Sequence, residues 1–195
     1  MEHPRIRELW PEYLILQHQI IRATVPLTEA ALVQALRLDG SDPVASPLAA
    51  YLRGHVEEEL HHDETLLDDL DQIGLGRTTA LARVPSPSVA ALVGSQYYWI
   101  HHHHPVAFLG YVALMEGYPP TPELIDTLIA RTGYPADAFH TYLEHAELDP
   151  GHRDRLDRTL DELPLDPSHE VAIGLSAIAT AALAAKSLQE VVAEP

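Results

Sequence analysis

The chain has 195 residues, a formal net charge of −17 and no cysteine. This length suits one domain with a full hydrophobic core, and we expect a single domain over residues 1–195. A chain without cysteine cannot form disulfides, iron–sulfur clusters or thiolate zinc sites, so any metal must be held by His, Asp and Glu. The negative charge argues against nucleic acid and anionic membrane surfaces as partners.

Two features of the sequence bear on the location of the protein in the cell. The first residues, Met1 to Arg5, do not combine a basic region with an apolar run, so no signal peptide is visible. The longest uncharged apolar run, Val171–Ala185, has 15 residues. It is too short to span a membrane and fits a buried helix. We therefore expect a cytoplasmic protein.

Apolar residues recur with the period of an α-helix, and nothing alternates as a strand would. Proline and glycine mark the predicted helix ends; for example, Asp42-Pro43 is a typical helix start and Gly74 a typical stop. The predicted fold is all-α, with seven helices over residues 5–23, 26–38, 43–73, 89–116, 122–132, from 135 onward, and 167–192.

Residues 145–152 read His145-x3-Asp149-x2-His152. On a helix these positions are i, i+4 and i+7 and share one stripe. Two imidazoles and a carboxylate on one stripe are typical of a transition-metal site, although a solvated polar face has the same spacing. Pro150 and Gly151 fall inside the motif and predict a kink or break between Asp149 and His152.

A second helix offers Glu59-x2-His62, a carboxylate and an imidazole one turn apart. Carboxylate-bridged dimetal bundles use this Glu-x-x-His pattern. Glu58 lies four residues before His62 and shares nearly the same face, so the sequence leaves open which glutamate is the ligand. The acidic run from Glu57 to Glu59 is alternatively an exposed surface.

Glu116 ends the almost unbroken apolar segment Phe108–Met115. A helix that is apolar nearly all round is buried. Its terminal glutamate is therefore either close to solvent or in the core with a compensating charge, for which a metal ion is the natural candidate. With the other two helices this makes three carboxylates and three imidazoles. That is more than a four-coordinate structural zinc site needs, and it favours two redox-capable metals with open positions.

The candidate ligands and the residues around them resemble those of a known protein family. Residues 55–63 (His-Val-Glu-Glu-Glu-Leu-His-His-Asp), 104–111 leading to Glu116-Gly-Tyr-Pro, and the motif over 145–152 resemble the heme-oxygenase-like diiron oxidases and oxygenases, the iron-containing redox enzyme family. The opening residues 13–30 are also similar. Some members of the family space the first ligand pair as Glu-x6-His; here the residue seven before His62 is His55, so that version does not fit.

The resemblance implies a seven-helix heme-oxygenase-like bundle without heme. It implies a non-heme diiron, O2-activating oxidase or oxygenase with two Fe2+ as cofactors and O2 as co-substrate. Glu116 is then the candidate bridging carboxylate. The implied metal ligands and catalytic residues are Glu59, His62, Glu116, His145, Asp149 and His152.

The substrate implied is a small organic molecule: an amino acid, an amine or a fatty acid. The reaction implied is N-oxygenation, desaturation or oxidative C–C cleavage, with an external electron donor. We also expect a homodimer without nucleic-acid or membrane partners. The alternative is a non-catalytic or cofactor-free heme-oxygenase-like helical binding protein.

Several other polar residues are predicted to lie outside the metal site. His101 to His104 are expected at the surface or along a channel, with a structural role for His104 next to Pro105. His61 points about 100° away from His62 on a helix and is expected to be exposed or to support a ligand. The aspartates that follow are most simply a solvated face, although one could accept a hydrogen bond from a ligand imidazole. They are Asp68, Asp69 and Asp71.

Overall fold

The computed structural model describes residues 3–193, apart from the side chains of Asp149 and Pro150. Across these residues the backbone forms helices and no strand, so the all-α prediction is confirmed. The helices are α1 Ile6–Ile21, α2 Thr24–Leu38, α3 Ala45–Glu59, α4 His62–Gln72, α5 Arg77–Ala82, α6 Pro87–His102, α7 Phe108–Glu116, α8 Pro122–Thr132, α9 His140–Glu162 and α10 Pro167–Ala193.

The described chain has three more helices than the seven predicted. The helix predicted over 43–73 is divided into α3 and α4, the helix predicted over 89–116 is divided into α6 and α7, and α5 was not predicted. Pro105 explains the second division, because a proline ring cannot donate the helix hydrogen bond and restricts the residue before it. A short 3-10 turn, Pro105–Ala107, replaces the helix there.

Helix α9 was predicted to kink or break at Pro150-Gly151. The helix continues through these residues from His140 to Glu162, so a break is wrong, whereas a kink stays a prediction. Contacts on both sides of Pro150 explain how the helix tolerates it. The start of α9 is bound by Asp69, and Arg155, in its later turns, pairs with Glu58.

The buried apolar residues form two clusters that share α1. The first contains Leu16 and Ile20 of α1 with residues of α2, α3, α6 and α7. The second contains Trp10 and Leu14 of α1 with residues of α4 and α8. The short break between α3 and α4 therefore takes the chain from one cluster to the other, and the residues beside that break belong to the candidate metal centre.

Helix α10 packs on α6 and α7 but leaves part of its apolar surface in water. Ile178 is 69% exposed, whereas Ser176 and Thr180 are fully buried and bond Gln96 of α6. The expectation of a buried helix is thus correct for one face only. By length and composition alone α10 could cross a membrane, since it has 27 residues and an 18-residue window of mean hydropathy 1.7.

The close packing of α7 on α10 gives the first prediction. A Cβ added to Gly110 would overlap the carbonyl oxygen of Ile173 and lie 2.8 Å from the backbone nitrogen of Ala177. Because both obstacles are backbone atoms, Gly110→Ala should lower the free energy of unfolding by about 2–3 kcal/mol. Gly94→Ala is the matched control, since nothing lies within 4 Å of its added Cβ and alanine favours α6 by up to ~1 kcal/mol. Urea unfolding measures both; equal stability of the two variants would contradict this packing.

Candidate metal centre

The turn between α3 and α4 brings the first two predicted ligands together. Helix α3 ends at Glu59, and His61 adopts the left-handed backbone conformation, with φ 75°, before α4 begins at His62. This conformation is uncommon for residues other than glycine and is typical of functional sites. Glu59 Oε2 lies 3.3 Å from His62 Nδ1, and both side chains are buried. The pair thus meets across a helix break rather than along one helix.

The two glutamates that the sequence could not separate have different surroundings. Glu59 is buried, and the pKa of its carboxyl is lowered: burial alone would raise it, but the hydrogen bond from His62 and the nearby rings of His55 and His145 outweigh burial. Glu58 is only partly buried and accepts hydrogen bonds from both terminal guanidinium nitrogens of Arg155. Glu59 therefore faces the centre, and Glu58 forms an ion pair beside it.

His55 is a member of the centre that the sequence analysis did not select. It is fully buried, its Nε2 lies 3.2 Å from Glu116 Oε1, and its ring stacks on Tyr51 with 5.6 Å between the ring centroids. His55, Glu59 and Glu116 offer ligand atoms that all lie within 4.8 Å of one another. The signal was present in the sequence, because His55 is four residues before Glu59 and shares its helix face.

Glu116 is both terminal and buried. It is the last residue of α7 and is only 7% exposed, so of the two placements that the sequence leaves open the core is the one observed. His152 reaches it from α9: its Nδ1 lies 3.8 Å from Glu116 Oε2, and its Nε2 lies 3.9 Å from Glu58 Oε2. His152, on the far side of Pro150-Gly151, is therefore next to the other candidate ligands.

His145 completes the group from the N-terminal half of α9. Its ring packs edge-on against the ring of His62, with centroids 4.8 Å apart. The third residue of the motif, Asp149, lies outside the described side chains, so its role as a ligand remains a prediction. The structure thus brings together five predicted residues and adds His55. The five are Glu59, His62, Glu116, His145 and His152.

Asp69 is buried and does not belong to the solvated face predicted for it. The side chain is 1% exposed, and its two oxygens accept hydrogen bonds from the backbone N–H groups of His140 (3.0 Å) and Thr141 (2.9 Å). Asp68 and Asp71 are exposed, as predicted. Asp69 therefore binds the start of α9, the helix that carries His145 and His152.

A cavity of about 300 Å³ adjoins the candidate ligands. Glu59, Glu116 and His145 line it, and no lysine or arginine is among the described residues that do so. Most of the other lining side chains are aromatic or aliphatic; they include Tyr13, Ile20, Leu66, Tyr111, Met115 and Tyr142. A small organic molecule could therefore lie directly against the two candidate carboxylates, in largely apolar surroundings.

The histidines predicted to lie outside the centre do so. His61 and His101 to His103 are exposed. His104 is mostly buried and forms a second group with Asp42 and His169. In this group His104 Nδ1 accepts a hydrogen bond from Val106 N (3.1 Å), which places the proton of the neutral ring on Nε2, 3.1 Å from Asp42 Oδ2.

A metal at the Asp42 group would need the Nε2 lone pair of His104. The ring proton would then lie on Nδ1, where two donors, this N–H and the N–H of Val106, would face each other. A ligand histidine normally donates its second N–H to an acceptor. We therefore assign a structural role to this group. It connects the residues before α3 to those before α7, as expected for His104.

The fold and the centre together define a class of protein: a helical bundle with buried histidines and carboxylates beside a small cavity. Two solved structures share the fold. One is a domain of unknown function with a heme oxygenase-like fold from Shewanella denitrificans OS217, with a TM-score of 0.78 and 20% identity over 95% of this chain and 78% of that one. The other is a TenA homolog from Pseudomonas syringae pv. tomato strain DC3000, with a TM-score of 0.74 and 11% identity over 97% of this chain and 83% of that one.

Residues 20–185 match the sequence model of the family described as iron-containing redox enzymes. The chain belongs to the iron-containing redox enzyme family and has the heme-oxygenase-like fold predicted from its sequence. A search of curated proteins finds no match.

The burial of His55 gives a prediction on pH. Burial lowers the pKa of His55 to about 4, against about 6.5 in an unfolded chain. The unfolded chain therefore binds a proton that the folded protein does not, between these two values, and stability is lost as the pH falls through that window. From pH 7.5 to pH 5, this one group should cost the metal-free protein roughly 2 kcal/mol of unfolding free energy.

Urea unfolding at the two pH values measures this effect in the parent and in His55→Gln, which cannot take up a proton. His102→Gln is the control, because His102 is exposed. The difference in stability between pH 7.5 and pH 5 should shrink in His55→Gln and stay unchanged in His102→Gln. An identical difference in all three proteins would contradict a buried, neutral His55.

Proposed function

We propose that the protein is a non-heme diiron oxidoreductase that uses O2 to oxidise a small organic molecule bound in the cavity. The observation that carries the proposal is the convergence of imidazoles and carboxylates from α3, α4, α7 and α9, three of which, Glu59, Glu116 and His145, line that cavity. Membership of an iron-containing redox enzyme family supports iron as the metal.

The donor atoms fit a metal cation independently of the family match. His55 Nε2, the ring nitrogen that faces Glu116, and Glu59 Oε1 are buried and make no hydrogen bond among the described residues. A buried polar atom without a partner is costly, by about 1–3 kcal/mol. A cation coordinated by such atoms would remove this cost, and a mixture of imidazole and carboxylate ligands suits iron.

The donors divide into two halves, which supports two metals rather than one. Glu59, His62 and His145 form one half, in which Glu59 contacts His62 and the two imidazole rings pack together. His55, Glu116 and His152 form the other half, in which both imidazoles approach Glu116. His55, Glu59 and Glu116 lie close enough for either carboxylate to join the two halves. Asp149 would add a third carboxylate, as its sequence spacing predicts.

The residues of this chain have three tasks in such a reaction. The carboxylates balance most of the charge of two ferrous ions and keep the ions in place. His55 is neutral at neutral pH because burial lowers its pKa to about 4, so its ring is available as a ligand without first losing a proton. The apolar and aromatic cavity wall holds the substrate against the centre and limits the access of water.

Two ferrous ions, when bound, supply two electrons to O2, and an external donor must return them in each cycle. The substrate classes proposed are an amine, an amino acid or a fatty acid. The reaction proposed is N-oxygenation, desaturation or oxidative C–C cleavage. Because the described lining residues include no lysine or arginine, a substrate carboxylate would find its positive partner in the metals and not in a side chain.

Anaerobic titration with Fe2+ tests the proposal. The parent protein should bind two Fe2+ per chain and should consume O2 on exposure to air only when loaded. His145→Ala removes one ligand and should weaken binding of one iron at least tenfold, since loss of even an outer hydrogen-bond partner of a ligand costs 10–100-fold. His169→Ala is the matched control; it removes a histidine from the Asp42 group and should leave both irons bound. Failure of the parent to bind iron, or a His145→Ala variant with unchanged affinity, would exclude the diiron centre.

A further inference from the structure

Asp69 is a buried carboxylate that lies outside the candidate ligand set. It belongs to α4, is 1% exposed, and each of its oxygens accepts a hydrogen bond from a backbone N–H group at the start of α9. Its nearest aspartates along the chain, Asp68 and Asp71, are exposed. A buried aspartate that binds a different helix calls for an explanation beyond surface charge.

Helix α9 has no cap of its own. Phe139 occupies the position before the helix, where Ser, Thr, Asp or Asn usually accepts a hydrogen bond from the first turn, and that turn contains no acidic residue. Asp69 supplies the missing acceptors from 71 residues earlier in the chain. Its negative charge also lies at the positive end of the α9 dipole. The position of this end of α9 is thus determined by α4.

Helices α4 and α9, which Asp69 connects, also carry two imidazoles of the centre that face each other. Asp69 follows His62 by seven residues, so both lie on the same face of α4. His145 follows the N–H groups that Asp69 binds by little more than one turn of α9. The rings of His62 and His145 pack with centroids 4.8 Å apart. One carboxylate therefore connects the two helices close to the pair of rings.

We propose that Asp69 is the positioning residue that sets the spacing between His62 and His145. The effect of this spacing on metal binding rests on the proposed function, but the spacing itself is a property of the metal-free protein. A carboxylate is required because both of its oxygens accept hydrogen bonds. An asparagine of the same shape has a single acceptor oxygen, so the N–H of His140 or Thr141 would lose its partner and the start of α9 would move.

The experiment compares Asp69→Asn with two controls. Asp68→Asn makes the same chemical change on an exposed residue that pairs with Arg77. Leu128→Ala destabilises the fold from α8, where Leu128 is buried in the second apolar cluster and does not line the cavity. Crystal structures of the metal-free proteins give the His62–His145 spacing. Titration with Co2+, followed by its visible absorption, gives the number and affinity of the metals bound.

In Asp69→Asn the two rings should separate by more than about 1 Å, and the affinity for one of the two Co2+ should fall at least tenfold, with a changed absorption spectrum. Both controls should keep the parent spacing and spectrum, even though Leu128→Ala loses stability. An unchanged ring spacing in Asp69→Asn, or the same loss of Co2+ affinity in Leu128→Ala, would overturn the proposal. If the parent binds no Co2+, the diiron function fails, and the ring spacing in the metal-free crystals still decides the role of Asp69.

Discussion

The burial of two carboxylates in the middle of a helical bundle is the constraint on which the rest of the structure depends. Glu59 and Glu116 are each less than 10% exposed, and α7, which ends at Glu116, is otherwise apolar. Isolated buried charges of this kind are too costly to persist without compensation. Four imidazoles from three helices gather around the two glutamates, and metal ions held by these ligands would supply the compensating positive charge that we propose. The four imidazoles belong to His55, His62, His145 and His152.

Neighbouring acidic residues around the α3–α4 break have separate tasks. Glu59 points into the centre, whereas Glu58, one residue before it, binds the guanidinium of Arg155 on α9. Asp69, two turns into α4, binds the start of α9. Two carboxylates thus attach α9 to the α3–α4 segment on either side of the ligand motif. This attachment accounts for a helix that continues through Pro150 and Gly151 when its sequence predicts a break.

The sequence predicted the helical class and most of the centre because both depend on local spacing. The pattern of residues 145–152 and the isolated Glu116 could be identified without any knowledge of tertiary structure. The division between α3 and α4 could not, because neither glycine nor proline marks it and nothing in the local sequence indicates the left-handed conformation of His61. The sequence therefore predicts one continuous helix, on which His55 is only a poor match to another ligand spacing.

The choice between Glu58 and Glu59 could not be made from sequence for a related reason. Both occupy similar faces of α3, and they differ only in what lies opposite: Arg155 for Glu58, and the imidazole of His62 for Glu59. Asp69 looked like one member of an acidic surface, because its partner is a backbone 71 residues away. Contacts of this range require the tertiary structure.

The central claim is that the grouped histidines and carboxylates hold two irons beside the cavity. The most direct test is an anomalous difference map, measured at the iron absorption edge, from crystals soaked anaerobically with Fe2+. We predict two peaks, one between Glu59, His62 and His145 and the other between His55, Glu116 and His152. A map without a peak at these residues, or with iron only at the Asp42–His104–His169 group, would contradict the diiron account.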